Sequence, residues 1–236
     1  MTNQLQIGAI LSYVNIAASV FVGLIYTPLM LRLLGQSEYG LYSLVGAFVG
    51  YLSILDMGLG NTIVRYISRN RVLGNARREA EFNGLFLAIY LFIGCVVVII
   101  GSILCSHMDA IFGYTLSAAE IQKAQIMMGL LIFNLAVSFP LGVFSAEMQV
   151  YERFLFLRGT NILRVILNPC IVLPFLYYGY GAIMMVIVAT ILNISCLLAN
   201  MWYCYHYLNI HFAWGKYQRF LLTEIAVYSF LSLIHI

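Results

Sequence analysis

The chain has 236 residues, of which 63% are hydrophobic and 9% are charged, and its formal net charge at pH 7 is +3. A soluble globular domain carries about 25% charged residues, so this composition excludes a water-soluble fold and indicates a polytopic membrane protein. The small basic excess is typical of cytoplasmic loops between membrane spans, and we expect no nucleic-acid partner.

The first apolar run extends from about Gly8 to Leu34, behind an uncharged polar amino terminus. A cleaved signal peptide would need a charged start and a small-residue cleavage site, and neither is clear here, so we interpret the run as a retained helix. Small and polar side chains recur along it every three or four residues, which predicts one face turned away from lipid. That face carries Ser12, Asn15, Ser19, Gly23 and Tyr26.

The second span lies between Glu38 and Arg65, and Asp56 is the only charge among its 26 residues. It is longer than the ~20 helical residues that cross a hydrocarbon core. Gly46 and Gly50 lie four residues apart within it, a spacing that predicts close packing against another helix. Basic residues follow at positions 65, 69, 71, 77 and 78. Because such clusters stay in the cytoplasm, this span is predicted to run from outside to inside, with the amino terminus of the chain cytoplasmic.

The third span runs from about Phe82 to Cys105 and consists almost wholly of Ile, Val, Leu, Phe and Gly. This composition predicts a helix that faces lipid. The segment 106–123 carries little positive charge and is expected to lie outside. Within it, Ser117 with Glu120 three residues later resembles a helix start that is capped by a hydroxyl.

Polar stripes follow the fourth, fifth and sixth spans, which run from about Ala124 to Ala146, from about Leu157 to Tyr178, and from the turn at 179–181 to about Tyr205. The spacing within each stripe keeps its members on one helical face. The stripes are Asn134, Ser138 and Ser145, then Asn161, Arg164 and Asn168, then Thr190, Asn193 and Asn200. Amides and hydroxyls in a bilayer either line a polar cavity or hold helices together, and both interpretations remain open here.

Together the spans predict an all-α polytopic membrane fold with a six-helix transmembrane lobe over residues 1–207. Nine of the 12 Lys and Arg residues then fall at cytoplasmic span ends or in cytoplasmic segments. Residues 208–222, rich in aromatic and basic side chains, are predicted to form a cytoplasmic juxtamembrane linker. The apolar stretch 223–236 has about 14 residues, too few to span, so we expect a seventh helix that is cut short and a chain that is the first part of a larger protein.

Four short motifs stand in order along these spans. They are R-L-L-G-Q-S-E-Y-G-L-Y at 32–42, D-M-G-L-G-N at 56–61 with an arginine at 65, E-M-Q-V-Y-E-R-F at 147–154, and Y-G-Y-G-A-I at 178–183. In this order they resemble the polysaccharide-transporter branch of the multidrug/oligosaccharidyl-lipid/polysaccharide exporter superfamily, which includes the lipid-linked O-antigen repeat-unit flippases.

The resemblance implies a fold of two lobes around a central cavity, of which this chain supplies a lobe like the amino-terminal lobe of MATE transporters. It implies a multi-pass protein of the bacterial inner membrane that flips lipid-linked oligosaccharide units for polysaccharide biosynthesis. The partners implied are an undecaprenyl-pyrophosphate-type oligosaccharide, membrane lipid and the missing carboxy-terminal lobe of the same protein.

Such a substrate needs hydroxyl and amide groups for its sugars and a cation for its diphosphate, and Arg164 is the one basic residue clearly inside a span. The candidate cavity residues are Arg164, Asp56, Asn15, Asn134, Asn161, Asn168 and Asn193. The alternatives are that Arg164 snorkels to the inner interface, that Asp56 caps a helix restart, and that the asparagines join helices.

Enzyme and metal signatures are missing from the sequence. The five cysteines form no C-x-x-C, and H-E-x-x-H, G-x-S-x-G and nucleotide-binding fingerprints are absent, so we expect no metal, no cofactor and no catalytic residues. Two other functions stay open: a cation-coupled exporter of small drug-like molecules, and a membrane glycosyltransferase or acyltransferase whose catalytic part lies elsewhere. Arg164 in a polar stripe favours an anionic substrate, whereas a drug exporter would carry more acidic groups in its spans than Asp56.

Overall fold

The computed structural model describes residues 2–56 and 58–213. These residues form α1 (Thr2–Ser53), α2 (Leu59–Val72), α3 (Ala76–Ser106), α4 (Met108–Phe112), α5 (Ala118–Val150), α6 (Phe154–Tyr177) and α7 (Ala182–Tyr203). A 3-10 turn at Ile54–Asp56 precedes α2, and a π-helical turn at Cys204–Leu208 follows α7. The described residues contain no strand, which confirms the all-α fold. The predicted seventh helix at 223–236 lies outside the described residues.

The described residues contain five helical stretches that are long and apolar enough to cross a membrane, at 6–72, 76–106, 118–150, 154–177 and 182–208. The first has 67 residues, and at 1.5 Å per residue a helix of that length extends about 100 Å. A hydrocarbon core is only about 30 Å thick. Gly35 divides the stretch, because its φ of 77° and ψ of 168° interrupt α1, and glycine adopts a positive φ without strain. The stretch is therefore long enough for two spans, so the described residues can accommodate the six spans that the sequence predicted.

The helix ends that we predicted to be cytoplasmic meet at one end of the bundle, called here the inner end. The start of α1 contacts the start of α6, since a Cβ on Gly8 would lie 2.7 Å from the Cβ of Phe154. The Tyr151 hydroxyl, just after α5, donates a hydrogen bond of 2.9 Å to Glu79 at the start of α3. The backbone N–H of Ala213 donates to the oxygen of Ala80 over 2.9 Å, so the first described residues of the linker also lie here.

At the opposite, outer end, Glu38 joins three helices. Its carboxylate pairs with Lys123 in the first turns of α5 and accepts a hydrogen bond of 3.1 Å from the backbone N–H of Ala182, the first residue of α7. Glycine at position 181 leaves room for this carboxylate, because a Cβ there would force the Glu38 side chain to shift. The start of α5 has the predicted cap, since Ser117 and Glu120 form a complete capping box. The outer ends of α1, α5 and α7 are thus fixed to one another.

The prediction that the third span faces lipid is wrong along one side of α3. Gly94 and Gly101 lie against α5, where a Cβ on Gly94 would approach the backbone oxygen of Ala136 to 2.9 Å. A Cβ on Gly101 would approach the Ile132 side chain to 2.6 Å. Small residues allow two helices in a membrane to come close together. The glycines therefore make α3 a packed helix on one side and leave its other side apolar and exposed.

The packing predicted for Gly46 and Gly50 is also wrong within the described part of the chain. Both residues are exposed, and a Cβ on either would meet no atom within 4 Å. This part of α1 packs instead through Leu41, Val45 and Leu52, which are buried on the opposite side of the helix. Large apolar side chains determine which face packs here.

The close approach at Gly94 predicts a cost for any larger residue. Gly94→Ala is expected to lower the free energy of unfolding by about 1–3 kcal/mol, because the new methyl group overpacks against the backbone of α5. Denaturant unfolding of the purified chain in detergent measures this difference. Gly129→Ala is the control, since a Cβ at position 129 meets no atom within 4 Å, and alanine stabilises a helix by about 0.5–1 kcal/mol over glycine. Equal stabilities of the two variants would show that α3 and α5 are farther apart.

The two ends of the bundle predict opposite accessibility for two exposed positions. Val72 is 88% exposed at the inner end and Tyr114 is 100% exposed at the outer end. In a background without the five native cysteines, a membrane-impermeant thiol reagent added to intact cells should modify Tyr114→Cys and spare Val72→Cys. Permeabilised cells should allow both reactions. Modification of Val72→Cys in intact cells would refute the cytoplasmic assignment of the inner end.

Candidate functional site

A cavity of about 530 Å³ lies between the first part of α1 and helices α5, α6 and α7. Its polar lining comes from all four predicted stripes. The polar residues in the wall are Ser19, Tyr26, Asn134, Ser138, Arg164, Asn168 and Asn193, and apolar side chains fill the remaining wall. Stripes that are separate in the sequence converge because α1 and α7 each pack against both α5 and α6.

Arg164 is bound into this wall by a chain of amides and hydroxyls. A guanidinium N–H of Arg164 donates to Oδ1 of Asn193, and the Asn193 amide nitrogen donates to Asn134 Oδ1 and to Ser138 Oγ, each over 2.8 Å. The Ser138 hydroxyl donates in turn to the backbone oxygen of Asn134 over 2.6 Å. Because arginine only donates hydrogen bonds, the amide of Asn193 must present its oxygen to α6 and its nitrogen to α5. One side chain of α7 thus links the other two helices.

The charge of Arg164 is solvated by neutral groups. Arg164 is half-buried, and among the residues that the structure describes no carboxylate forms an ion pair with it. The bond to Asn193 uses one of the five N–H groups of the guanidinium. The site therefore presents a cation whose remaining donors are open to an acceptor in the cavity.

Asn168 adds an unpaired acceptor to the same wall. It lies four residues after Arg164 on α6, so it is one turn away on the same face. Its Oδ1 atom is buried and has no hydrogen-bond partner. An amide oxygen of this kind can accept a hydrogen bond from a hydroxyl group of a ligand. Arg164 and Asn168 together suit a ligand that carries both anionic and hydroxyl groups.

The polar stripes continue past the cavity toward the inner end, and there they hold helices together. Asn200 on α7 donates to Ser145 Oγ on α5 over 3.1 Å and accepts from the Thr160 hydroxyl on α6 over 3.4 Å. Asn200 is buried and does not line the cavity. Both interpretations of the stripes therefore apply, the cavity near Asn193 and helix joining near Asn200.

Three predicted site residues lie away from this wall. Asn15 and Asn161 are half-buried and do not line the cavity, although Oδ1 of Asn15 is buried without a partner. Asp56 lies at the break before α2, where its carboxylate accepts a 2.7 Å hydrogen bond from the Tyr90 hydroxyl and another from the N–H of Gly58. Gly58, with a φ of 71°, is the N-cap of α2. Asp56 therefore lies at a point where a helix restarts, as in the alternative interpretation of this residue.

Four polar residues at these positions were absent from the candidate set: Ser19, Tyr26 and Ser138, which line the cavity, and Tyr90, which bonds to Asp56. Tyr90 lies in an apolar span, and a buried tyrosine hydroxyl usually needs a hydrogen-bond partner. Its presence in the sequence could therefore have indicated a polar partner such as Asp56. Tyr26 was placed on the polar face of the first span but not in the candidate set, and it lines the cavity.

Comparisons with known proteins agree on one family. The sequence profile of the polysaccharide biosynthesis protein family matches residues 6–236. A Shigella flexneri protein described as an O-antigen transporter is 26% identical over 196 residues, which cover 80% of this chain and 45% of that protein. A Yersinia pseudotuberculosis protein described as an O-antigen export protein is 27% identical over 82 residues, which cover 35% of this chain and 19% of that protein. The chain spans about half the length of the first of these relatives.

The fold is similar to those of solved transporters. An outward-facing multidrug resistance transporter of the MATE family, in the MOP superfamily, superposes with a TM-score of 0.72 at 15% identity, covering 98% of this chain and 52% of that one. A MOP superfamily transporter from Pyrococcus furiosus gives a TM-score of 0.69 at 14% identity, covering 96% and 52%. At these identities the likeness concerns the fold alone.

The bridging role of Asn193 predicts a specific loss of stability. Asn193→Leu keeps the size of the side chain but leaves Arg164, Asn134 and Ser138 without their shared partner, so it should lower the free energy of unfolding by about 1–3 kcal/mol. Thr190→Val is the matched control, because Thr190 is buried on the same helix and its hydroxyl has no hydrogen-bond partner. Denaturant unfolding of both variants in detergent should separate them, and equal stabilities would contradict the bridge.

Proposed function

The chain belongs to the polysaccharide biosynthesis protein family, in the polysaccharide-transporter branch of its superfamily, and from this premise we propose that it forms one lobe of a flippase for lipid-linked oligosaccharides. The proposed lobe is residues 1–207, with residues 208–222 as the linker and a second lobe completing the transport pathway. The location proposed is the bacterial inner membrane, with the amino terminus in the cytoplasm. The descriptions of the two bacterial relatives support this function.

The physical difficulty of flipping such a lipid is to move its polar headgroup across the apolar core of the membrane. An unpaired polar group costs several kcal/mol in an apolar medium, and a sugar headgroup carries many of them. A cavity with amide and hydroxyl groups in its wall replaces the hydrogen bonds of water while the lipid tail remains in the bilayer. The converged stripes at Asn134, Asn168 and Asn193 provide such groups. Asn15, Asn161 and Asp56 remain proposed members of the pathway, outside this wall.

The main observation in support of the proposal is that Arg164 lies in the cavity wall and forms no ion pair with a carboxylate among the described residues. A guanidinium binds phosphate oxygens through parallel charge-assisted hydrogen bonds, and its planar shape suits the diphosphate of an undecaprenyl-pyrophosphate-type carrier. Asn193 holds Arg164 by one N–H and leaves the others for the ligand. We therefore assign diphosphate binding to Arg164 and sugar binding to the amides around it.

The second candidate, a cation-coupled drug exporter, has less support. A cationic drug requires an acidic group in the binding wall, and the described part of the chain contributes Arg164 and no Asp or Glu to this cavity. Asp56 is engaged by Tyr90 at the helix break instead. An enzymatic function has still less support, since the relatives are described as a transporter and an export protein.

Substitution of Arg164 tests the proposal. In cells that depend on the complete transporter, Arg164→Ala should abolish display of surface polysaccharide, because it removes the charge that pairs with the diphosphate. Arg164→Lys should retain partial display, about 10–100-fold below the wild type in transport rate, since lysine keeps the charge and loses the planar fork. Polysaccharide display is measured together with the abundance of each variant in the membrane.

Arg77→Ala is the control, because the Arg77 side chain is 87% exposed at the inner end and pairs with Glu81 on its own helix, four residues away. This variant should transport normally. Normal display from Arg164→Ala at normal abundance would remove Arg164 from the site. Equal display from Arg164→Lys and the wild type would favour snorkelling.

A further inference from the structure

Glu147 is a buried carboxyl group that the substrate cavity does not use. It lies on α5 four residues before Tyr151, near the inner end, and is 0% exposed. Neither of its carboxylate oxygens has a hydrogen-bond partner. It is 13 residues from Asn134 on the same helix, about 20 Å along the axis. A buried acidic group so far from the cavity wall needs an explanation of its own.

Among the described residues, four ionisable groups lie around Glu147. The charges of Glu79 on α3 and Arg71 on α2 act on it, Tyr151 follows it after α5, and the Cys204 thiol lies in the π-helical turn. Burial and the hydrogen bond to Glu79 raise the pKa of Tyr151 to about 12, so its hydroxyl stays a donor at neutral pH. The Cys204 thiol bonds to the oxygen of Phe144 and not to Glu147. None of these groups supplies Glu147 with a hydrogen bond.

Within the described part of the chain, Arg71 is the cation whose charge acts on Glu147, and its guanidinium is engaged elsewhere. The guanidinium carbon of Arg71 lies 3.5 Å above the centre of the Tyr151 ring. Among the described residues Arg71 forms no ion pair with Glu147 or Glu79. The Tyr151 hydroxyl is used by Glu79. The cluster thus holds two acidic groups and one cation, and the acidic group with the deeper burial has no donor.

A bare carboxylate in this position would be costly. Removing an ion from water without a partner costs several kcal/mol even after relaxation, and a second carboxylate nearby adds repulsion. Binding one proton removes both penalties, because a neutral carboxyl group carries no net charge. A proton is also a ligand small enough for a site without solvent access.

We propose that Glu147 is a proton-binding site at the inner end of the lobe, occupied at neutral pH while α2, α3 and the end of α5 are packed as in this structure. The proton comes from a hydronium ion in the surrounding water: its O–H bond breaks as the bond to one Glu147 carboxylate oxygen forms, and a water molecule is left. Occupancy of the site is linked to packing of the inner end, since ionised Glu147 is tolerated only where water or Arg71 reaches it. This inference does not depend on what the cavity carries, so the proposed transport function and the proton site can fail separately.

Infrared spectroscopy of the full chain in lipid vesicles tests the proposal without a transport assay. At neutral pH the wild type should show the carbonyl stretching band of a protonated carboxyl group, and Glu147→Gln should lose that intensity. Glutamine has the shape of the neutral acid, so the variant is expected to fold normally. Asp109→Asn is the control, because Asp109 is exposed at the outer end and should leave the band unchanged. A difference spectrum between wild type and Glu147→Gln that contains only ionised-carboxylate bands would overturn the proposal.

A second measurement requires no substitution. Labelling glutamate carboxyl groups with carbon-13 shifts the bands of glutamate and leaves those of Asp56 in place. Glu147 is the glutamate that is fully buried among the described residues, so a neutral-carboxyl band that shifts with this label at neutral pH supports the proposal. A protonated-carboxyl band that the label does not move, or no such band, would contradict it.

Discussion

The solvation of Arg164 is the constraint on which the polar centre of this lobe depends. A guanidinium within a membrane span needs hydrogen-bond acceptors, and here Asn193 supplies one from the neighbouring helix. The same amide donates hydrogen bonds to Asn134 and Ser138 on α5. One side chain therefore both solvates the cation and joins three helices. A carboxylate in place of Asn193 would neutralise Arg164. An amide positions Arg164 and leaves its charge for a ligand.

The outer and inner ends of the bundle use different chemistry. At the outer end, Glu38 has an ion pair with Lys123 and a hydrogen bond to the start of α7, so its charge is compensated where water is near. At the inner end, Glu147 is buried without a donor and Arg71 stacks on Tyr151. A compensated charge fixes the outer ends of three helices together, whereas the packing of the inner end depends on the proposed protonation of Glu147.

The motifs that carry the family resemblance occupy these structural positions. Glu38, in the first motif, accepts a hydrogen bond from Ala182 of the last motif, and Gly181 of the same motif leaves room for the Glu38 carboxylate. Asp56, in the second motif, lies at a helix break with the hydroxyl of Tyr90 as its partner. Arg164 and the asparagines of the cavity belong to none of the four motifs. The features that identify the family therefore hold the lobe together, and the cavity wall lies between them.

The sequence alone predicted six spans, their order and their relative direction, because the thickness of the bilayer and the placement of arginines act on composition and length. That the first two spans share one long helix divided at Gly35 was shown only by the structure. It also identified Ser117 and Glu120 as a helix start, since a capping box is local. It did not determine which stripe residues share a cavity: Asn193 and Asn200 have the same spacing signal, and only the packing of α5, α6 and α7 separates their roles. The exposure of Gly46 and the close packing of Gly94 against α5 likewise follow from tertiary contacts. Helical periodicity shows which residues share one face of a helix. Which other helix that face contacts depends on how the whole bundle packs.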